Sequence, residues 1–232
     1  VVFIGLPPSG CSIAGDWAWQ EAPFDVKYPA ATPGASYPQK TFEEEGMKVA
    51  LVVSVLALLA QDKPAVDLKV GDAAPKFEAP DDTGKAWKSE EHVGKKIVVV
   101  YFYPASFTPG CTKQACGFRD DQKAFADKDV EVVGVSGDSV KGQEAFKKFH
   151  KLNFALLADE KGEVAKAFGV PAGKGGTVKQ KIDDKEEEFT RGVSAKRWTF
   201  VIDKAGKIAF KNTEVKAAED SKAILAVIEK LK

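Results

Sequence analysis

The chain is poor in the residues that most often announce a metal, a nucleic acid or a membrane. Its two histidines, His92 and His150, stand far apart in sequence, and neither is close to a cysteine pair with the two-residue gap of a zinc knuckle. Three cysteines, Cys11, Cys111 and Cys116, are too few to staple a miniature fold. Acids and bases balance at 34 each, so no global field draws in polyanions or an anionic membrane surface. The longest apolar stretch, Val49–Ala60, is broken by Ser54 and falls short of the roughly 18 residues a spanning helix needs. There are no internal repeats. These absences exclude metal-centred, nucleic-acid-binding and membrane-spanning classes as first readings, and no cofactor is expected.

What is there divides at the only methionine, Met47. Residues 1–46 hold six of the twelve prolines and only two lysines, with no sustained period of 2 or 3.6. They are expected to be untranslated upstream frame or a disordered leader, and Cys11 falls with them. Glu43-Glu44-Glu45-Gly46 fits purine-rich codons over a ribosome-binding site. Residues 47–60 have the form of a secretory signal: Lys48, an apolar segment of about 18 Å as a helix, and a small residue, Ala60, before Gln61-Asp62-Lys63-Pro64. Export to a bacterial periplasm is the expectation, with a cytoplasmic location if the segment is not a functional signal. Residues 61–232 then form one slightly basic domain.

In that domain Lys96–Tyr103, with Ile-Val-Val-Val-Tyr-Phe-Tyr, reads as a buried central strand. Val130–Val135 and Phe154–Leu157 read as further strands, and Trp198–Ile202 with Ile208–Phe210 as a hairpin. A short hairpin flanks Asp81-Asp82-Thr83-Gly84. Helical faces are predicted from Phe118 and Phe125, from Phe146, Phe149 and Leu152, and from Ile224, Val227, Ile228 and Leu231. Alternating strands and helices closed by a hairpin and a last helix predict an α/β sandwich with a mixed sheet. Residues 171–196, rich in Gly and Lys and then in acids, read as a surface insertion with little core of its own.

The chemistry concentrates after the central strand, in Pro104-Ala-Ser-Phe-Thr-Pro-Gly-Cys-Thr-Lys-Gln-Ala-Cys116. A strand-to-helix connection at the carboxyl end of a sheet is where such folds place ligands. Thr108 suits the N-cap and Pro109 the first helical position. Cys111 then lies in the first turn among N–H groups without intrahelical partners, where the positive helix end favours thiolate over thiol. A reactive cysteine is expected rather than a structural thiol. In an intact helix, Cys116 lies about 8–9 Å from Cys111, Cα to Cα. A disulfide needs about 7 Å or less, so this pair bonds only if the helix unwinds between Thr112 and Phe118.

Arginine occurs only at 119, 191 and 197. Arg197, anchored by the strand that follows, suits a site that holds a thiolate beside a small polar oxidant. Arg191 reads as a solvated charge, and Arg119 as either an ion pair with Asp120 or a supporting group. His92 is expected to be exposed and His150 satisfied or solvated, without roles.

Pro104-x-x-x-Thr108-x-x-Cys111 resembles the active-site signature of the peroxiredoxins. The longer string, through Gln114-Ala115-Cys116 to Phe118-Arg119-Asp120, is similar to the Prx Q or bacterioferritin-comigratory-protein subgroup. Arg197-Trp-Thr-Phe-Val-Ile-Asp203 resembles the strand that delivers that family's catalytic arginine, and the likeness runs from about Leu68 to Lys232. The resemblance implies a thioredoxin-like fold with an N-terminal hairpin extension. It implies a thiol peroxidase acting on hydrogen peroxide and organic hydroperoxides. Cys111 would be the peroxidatic nucleophile and Cys116 the resolving cysteine of an intramolecular disulfide, recycled by a thioredoxin-like dithiol. Thr108 and Arg197 would hold the peroxide, Pro104 would shield the thiolate, and Gln114 would hold Arg197. An intramolecular disulfide removes the need for a partner subunit, so a monomer or weak dimer is implied. Ala105-Ser106-Phe107 departs from the charged or polar residues usual in the subgroup, and the 171–196 insertion is longer than usual. Two other readings of the cysteines fit less well. A thiol–disulfide oxidoreductase would use Cys-x-x-Cys, and an exported copper carrier would need thiols one turn apart plus a histidine.

Overall fold

A buried five-stranded sheet organises the molecule, and its central strand is the continuous apolar run. The computed structural model describes residues 66–182 and 184–231. The expected leader, the expected signal segment and Cys11 lie outside the described residues. In chain order the elements are β1 (Glu78–Pro80), β2 (Ala86–Lys88), a single 3₁₀ turn (Ser89–Glu91), β3 (Ile97–Phe102), α1 (Pro109–Asp120), α2 (Gln122–Ala126) and β4 (Val130–Ser136). Then come α3 (Val140–His150), β5 (Ala155–Ala158), α4 (Glu163–Ala167), β6 (Ala172–Ile182), β7 (Lys185–Ala195), β8 (Trp198–Ile202), β9 (Ile208–Asn212) and α5 (Asp220–Glu229).

The sheet order is β5-β4-β3-β8-β9. β3 runs parallel to β4 and antiparallel to β8, and β4 is parallel to β5. This is the mixed sheet expected. Side chains alternate across it. Val98, Val100 and Phe102 join Phe77, Trp87, Phe168 and Phe200 on one face, while Val99, Tyr101 and Tyr103 join Cys111, Phe118, Phe125 and Phe146 on the other. Because both faces are covered, β3 needs no polar alternation, which is why its sequence is an unbroken apolar run. Tyr101 lies opposite Gly134 in the β3–β4 register. A Cβ at Gly134 would lie 2.7 Å from the Tyr101 ring and 2.8 Å from Leu156 Cδ2, so the ring occupies the space that only glycine leaves.

Several expectations shift. The helix predicted after Cys111 is two helices, broken at Asp121, yet Phe118 and Phe125 still meet at 5.7 Å. Phe149 is 46% exposed rather than on the buried face of α3. Leu152 lies past the left-handed cap at Lys151, buried outside the helix, and Leu231 lies beyond α5 and is 39% exposed. Helix α4 has no periodic signal at five residues, and Asp159 starts it by accepting from the N–H groups of Val164 and Ala165. His92 is half-buried, against the expectation: its ring stacks on Trp87 at 4.3 Å and its Nδ1 lies 2.9 Å from Glu131 Oε2.

The 171–196 insertion is a regular antiparallel hairpin, paired from Ala172↔Ala195 to Ile182↔Lys185. Most of it is exposed, but Phe189 and Ala195 are buried. Its β7 arm lies against the segment after β4, where Ser139 N–H donates to Thr190 O and Gly192 N–H to Gly137 O. The approach is close: a Cβ at Gly137 would come 2.1 Å from Val193 O. Arg191 is therefore not a solvated charge. Its backbone pairs with Asp138, its Nε donates to Ser194 Oγ, and it is half-buried.

Candidate active site

The loop from Pro104 to Thr108 turns the chain from β3 into α1, and buried polar groups fix its course. Ser106 N–H donates to Asp138 Oδ2 at 2.8 Å, and Ser136 Oγ donates to the same oxygen at 2.7 Å. Tyr103 Oη donates to Gln143 Oε1, whose amide nitrogen donates to Ser136 Oγ and to Leu157 O. Burial pushes the Tyr103 hydroxyl well above the usual tyrosine range, which keeps it a donor. Phe107 has φ 63°, a left-handed conformation rarely adopted by a bulky side chain and costing on the order of 1–3 kcal/mol. Packing opposes that cost: its ring stacks on Phe189 at 5.1 Å and meets Phe146 edge-on at 5.2 Å.

Thr108 occupies the N-cap of α1 and Pro109 its first turn, as the sequence indicates. The capping bond itself is absent. Thr108 Oγ1 donates to Ala105 O at 2.9 Å, across the turn that Phe107 creates. The hydroxyl's lone pairs are left as acceptors, and the first N–H groups of α1 keep no side-chain cap. Cys111 sits three residues into α1 and is 1% exposed.

Arg197, immediately before β8, reaches back 86 residues and donates from Nη2 to Cys111 Sγ at 3.1 Å. Its Nη1 donates to Gln114 Oε1. Gln114 is fully buried one turn along α1 from Cys111, and its Nε2 donates to Asp220 Oδ2 at 2.7 Å. Thr199 Oγ1 donates to the same oxygen at 2.8 Å. Burial raises the Asp220 carboxyl above the ordinary range, and the bonds from Gln114 and Thr199 and the charge of Arg197 oppose that rise. Neither Asp220 nor Thr199 stands out in the sequence. An acid at a helix start reads as helix-end chemistry, and a threonine in a strand reads as β propensity.

The structure thus brings Cys111, Gln114 and Arg197 into one bonded chain and sets Thr108 at the start of the same helix. Pro104 is half-buried, and its carbonyl is 3.4 Å from Ser194 Oγ of β7. Cys116 is half-buried on α1, and both thiols are free. Arg119 pairs with Asp120 and donates to His150 O, so it links α1 to the end of α3. Among the described residues no group of three His, Cys, Asp or Glu side chains is placed to hold a metal ion, and no helix is long and apolar enough to cross a membrane.

A mixed sheet with a cysteine at the start of the helix after its central strand, touched by an arginine from the entry to a distant strand, defines a cysteine-centred protein of thioredoxin-like fold. The chain belongs to the AhpC/TSA family, whose family model matches residues 70–211. Its curated relatives carry peroxiredoxin Q and bcp names, which bears out the resemblance in the signature. It is 43% identical over 140 residues to peroxiredoxin Q, chloroplastic, of Oryza sativa subsp. japonica, covering 60% of this chain and 57% of the relative. It is 38% identical over 144 residues to the Coxiella burnetii protein named putative peroxiredoxin bcp, covering 62% of this chain and 87% of that one. The crystal structure of peroxidoxin BcpB from Mycobacterium tuberculosis superposes with TM-score 0.60 at 35% identity, covering 72% of this chain and 99% of the other. A Xanthomonas campestris bacterioferritin comigratory protein, described for its alkyl peroxide reduction activity, gives 0.57 at 25%, covering 71% and 97%. The chain spans less than two thirds of the length of the plant relatives.

Proposed function

We propose that the protein is a thiol peroxidase in which the Cys111 sulfur attacks a peroxide. The contact from Arg197 Nη2 to Cys111 Sγ carries this reading. A thiolate is the nucleophilic form of cysteine, and a fixed guanidinium beside it stabilises that form. The same guanidinium, with the open N–H groups at the start of α1, can stabilise negative charge on the departing oxygen. Thr108 Oγ1, already donating to Ala105 O, is left to accept a hydrogen bond from the peroxide O–H. In the first step an S–O bond forms as the O–O bond breaks. Sulfur loses two electrons to become a sulfenic acid, and the leaving alkoxide or hydroxide takes up a proton.

Cys116 then resolves the sulfenic acid, its sulfur displacing water to give an intramolecular disulfide. Both thiols lie on one intact helix, so this step requires α1 to unwind locally. A thioredoxin-like dithiol returns both cysteines to thiols by exchange. Hydrogen peroxide and organic hydroperoxides are the substrate class, a reading supported by the alkyl peroxide activity in the description of the Xanthomonas campestris neighbour. Lys48 and Val49–Ala60 support export, which places the reductant outside the cytoplasm.

Intact mass of reduced protein after one equivalent of hydrogen peroxide tests the assignment. The parent is expected to lose two hydrogens within seconds, and Cys116→Ser to gain one oxygen. No change in either within minutes would end the peroxidase reading.

A further inference from the structure

Asp220 touches none of the reacting atoms, yet it ends the bonded chain that starts at Cys111. Its Oδ2 accepts from Gln114 Nε2 at 2.7 Å and from Thr199 Oγ1 at 2.8 Å, while its Oδ1 is buried with no hydrogen-bond partner. A buried, half-satisfied carboxylate costs stability, and packing alone does not account for its place here. Gln114 supplies one. Its amide can face Arg197 with either the carbonyl oxygen or the NH₂ group, and only the oxygen can accept from Nη1. An ionised carboxylate accepts and never donates, so it forces the NH₂ of Gln114 toward itself and the oxygen toward Arg197. We propose that Asp220 is a positioning residue: by fixing which end of the Gln114 amide faces Arg197, it holds the guanidinium on Cys111 Sγ.

Each link has a place in the fold that supports this. Thr199 lies opposite Tyr101 in the β3–β8 register, on the sheet face that carries Cys111, so its hydroxyl meets Asp220 beneath α1. Asp220 opens α5, which is bound to α1 and its end through Ser221 Oγ to Asp121 Oδ2 at 2.8 Å and Lys222 Nζ to Asp121 Oδ1 at 2.6 Å. The other ionisable groups around the chain are Tyr101 and Cys111 as well as Arg197. The Tyr101 hydroxyl is raised well above the usual range, first by burial and then by Tyr103, Cys111 and Asp220, so it stays neutral and adds no competing charge. Protonating Asp220 would let the carboxyl donate, release the amide to flip, and leave two donor groups facing each other at Arg197.

This inference takes the peroxidase reading as its frame, but one of its two readouts needs no peroxide. Asp220→Asn keeps the shape and one acceptor oxygen, turns the other oxygen into an NH₂ donor, and so removes the obligatory polarity. In the full chain, its kcat/KM for hydrogen peroxide is expected to fall roughly tenfold, the difference between a charge-assisted and a neutral hydrogen bond. In an Arg197→Lys background the same change is expected to cost less than about twofold, since coupled residues are not additive. The second readout is the pH midpoint of Cys111 alkylation by iodoacetamide in Cys116→Ser. Removing a negative charge alone would lower that midpoint, whereas losing the Arg197 contact raises it, and a rise is the expected result. Asp220→Glu, an acceptor of the same charge, is expected to restore the midpoint in part. An unchanged or lowered midpoint, or an equal loss of rate in the Arg197→Lys background, would overturn the assignment. If the parent is inert to peroxide but the midpoint still rises in Asp220→Asn, the peroxidase reading falls and the positioning role stands.

Discussion

The two flanks of Cys111 are built from opposite materials. On one side lies a chain of polar atoms, Arg197–Gln114–Asp220–Thr199, each link a single directional bond. On the other lies an aromatic cluster, where Phe107 is packed by Phe146, Phe149, His150 and, from the inserted hairpin, Phe189. Directional bonds fail when one donor or acceptor is wrong. Ring contacts are broad and lose energy gradually. The polar flank therefore fixes the groups at the Cys111 sulfur, and the aromatic flank fixes the shape and firmness of the loop that leads into Thr108.

That contrast can be broken at several points. Cys111→Ser, which removes the sulfur at the head of the polar chain, is expected to abolish peroxide consumption while circular dichroism and the unfolding midpoint stay close to the parent. Arg197→Lys keeps the charge and loses the fork that reaches both Sγ and Gln114. It is expected to lower kcat/KM roughly a hundredfold, as for loss of one preorganised donor, with little effect on urea denaturation. Phe189→Ala strikes the aromatic flank and should show the reverse pattern. About 3–5 kcal/mol of stability is expected to be lost in urea, with less than a tenfold change in peroxidase rate, because the hairpin supports Phe107 without touching the sulfur.

The smallest effect sharpens the comparison through pH. Desolvation, followed by the Arg119 charge, lowers the His150 pKa below its ordinary value. The unfolded chain then binds this proton more readily than the native state. The resulting contribution is full above the unfolded pKa of about 6.5 and is lost as pH falls through the lower folded value. His150→Gln is expected to flatten the fall of the thermal midpoint between about pH 7 and pH 5. A parent and variant that fall in parallel would show that the aromatic flank carries no such titration.

Legibility in the sequence followed distance along the chain. The central strand, the alternation of strands and helices, and the first-turn placement of Cys111 could all be read because each depends on neighbours within a turn or a strand. Arg197 was legible through its rarity and its anchoring strand. Asp220 was not, since its partner Gln114 is 106 residues away and nothing near it in sequence marks a buried acid. The docking of Phe189 and Arg191 is not legible, because the exposed Gly, Lys and acids of residues 171–196 read as a surface insertion with little core and hide the few positions that dock. The N-cap position of Thr108 is legible but the partner of its hydroxyl is not, since the left-handed turn at Phe107 that turns Ala105 O toward it has no glycine to announce it.

The sequence by itself determined the first-turn placement of Cys111, the helix that begins beside it and the strand beneath, because local backbone chemistry and hydrophobic runs act over a few residues. The tertiary structure alone decided which way the Gln114 amide points, that Arg197 touches the sulfur and that a surface hairpin braces the loop from Pro104 to Thr108. Those outcomes rest on hydrogen bonds and ring contacts between segments that meet only once the sheet has closed, so no local stretch of the chain encodes them.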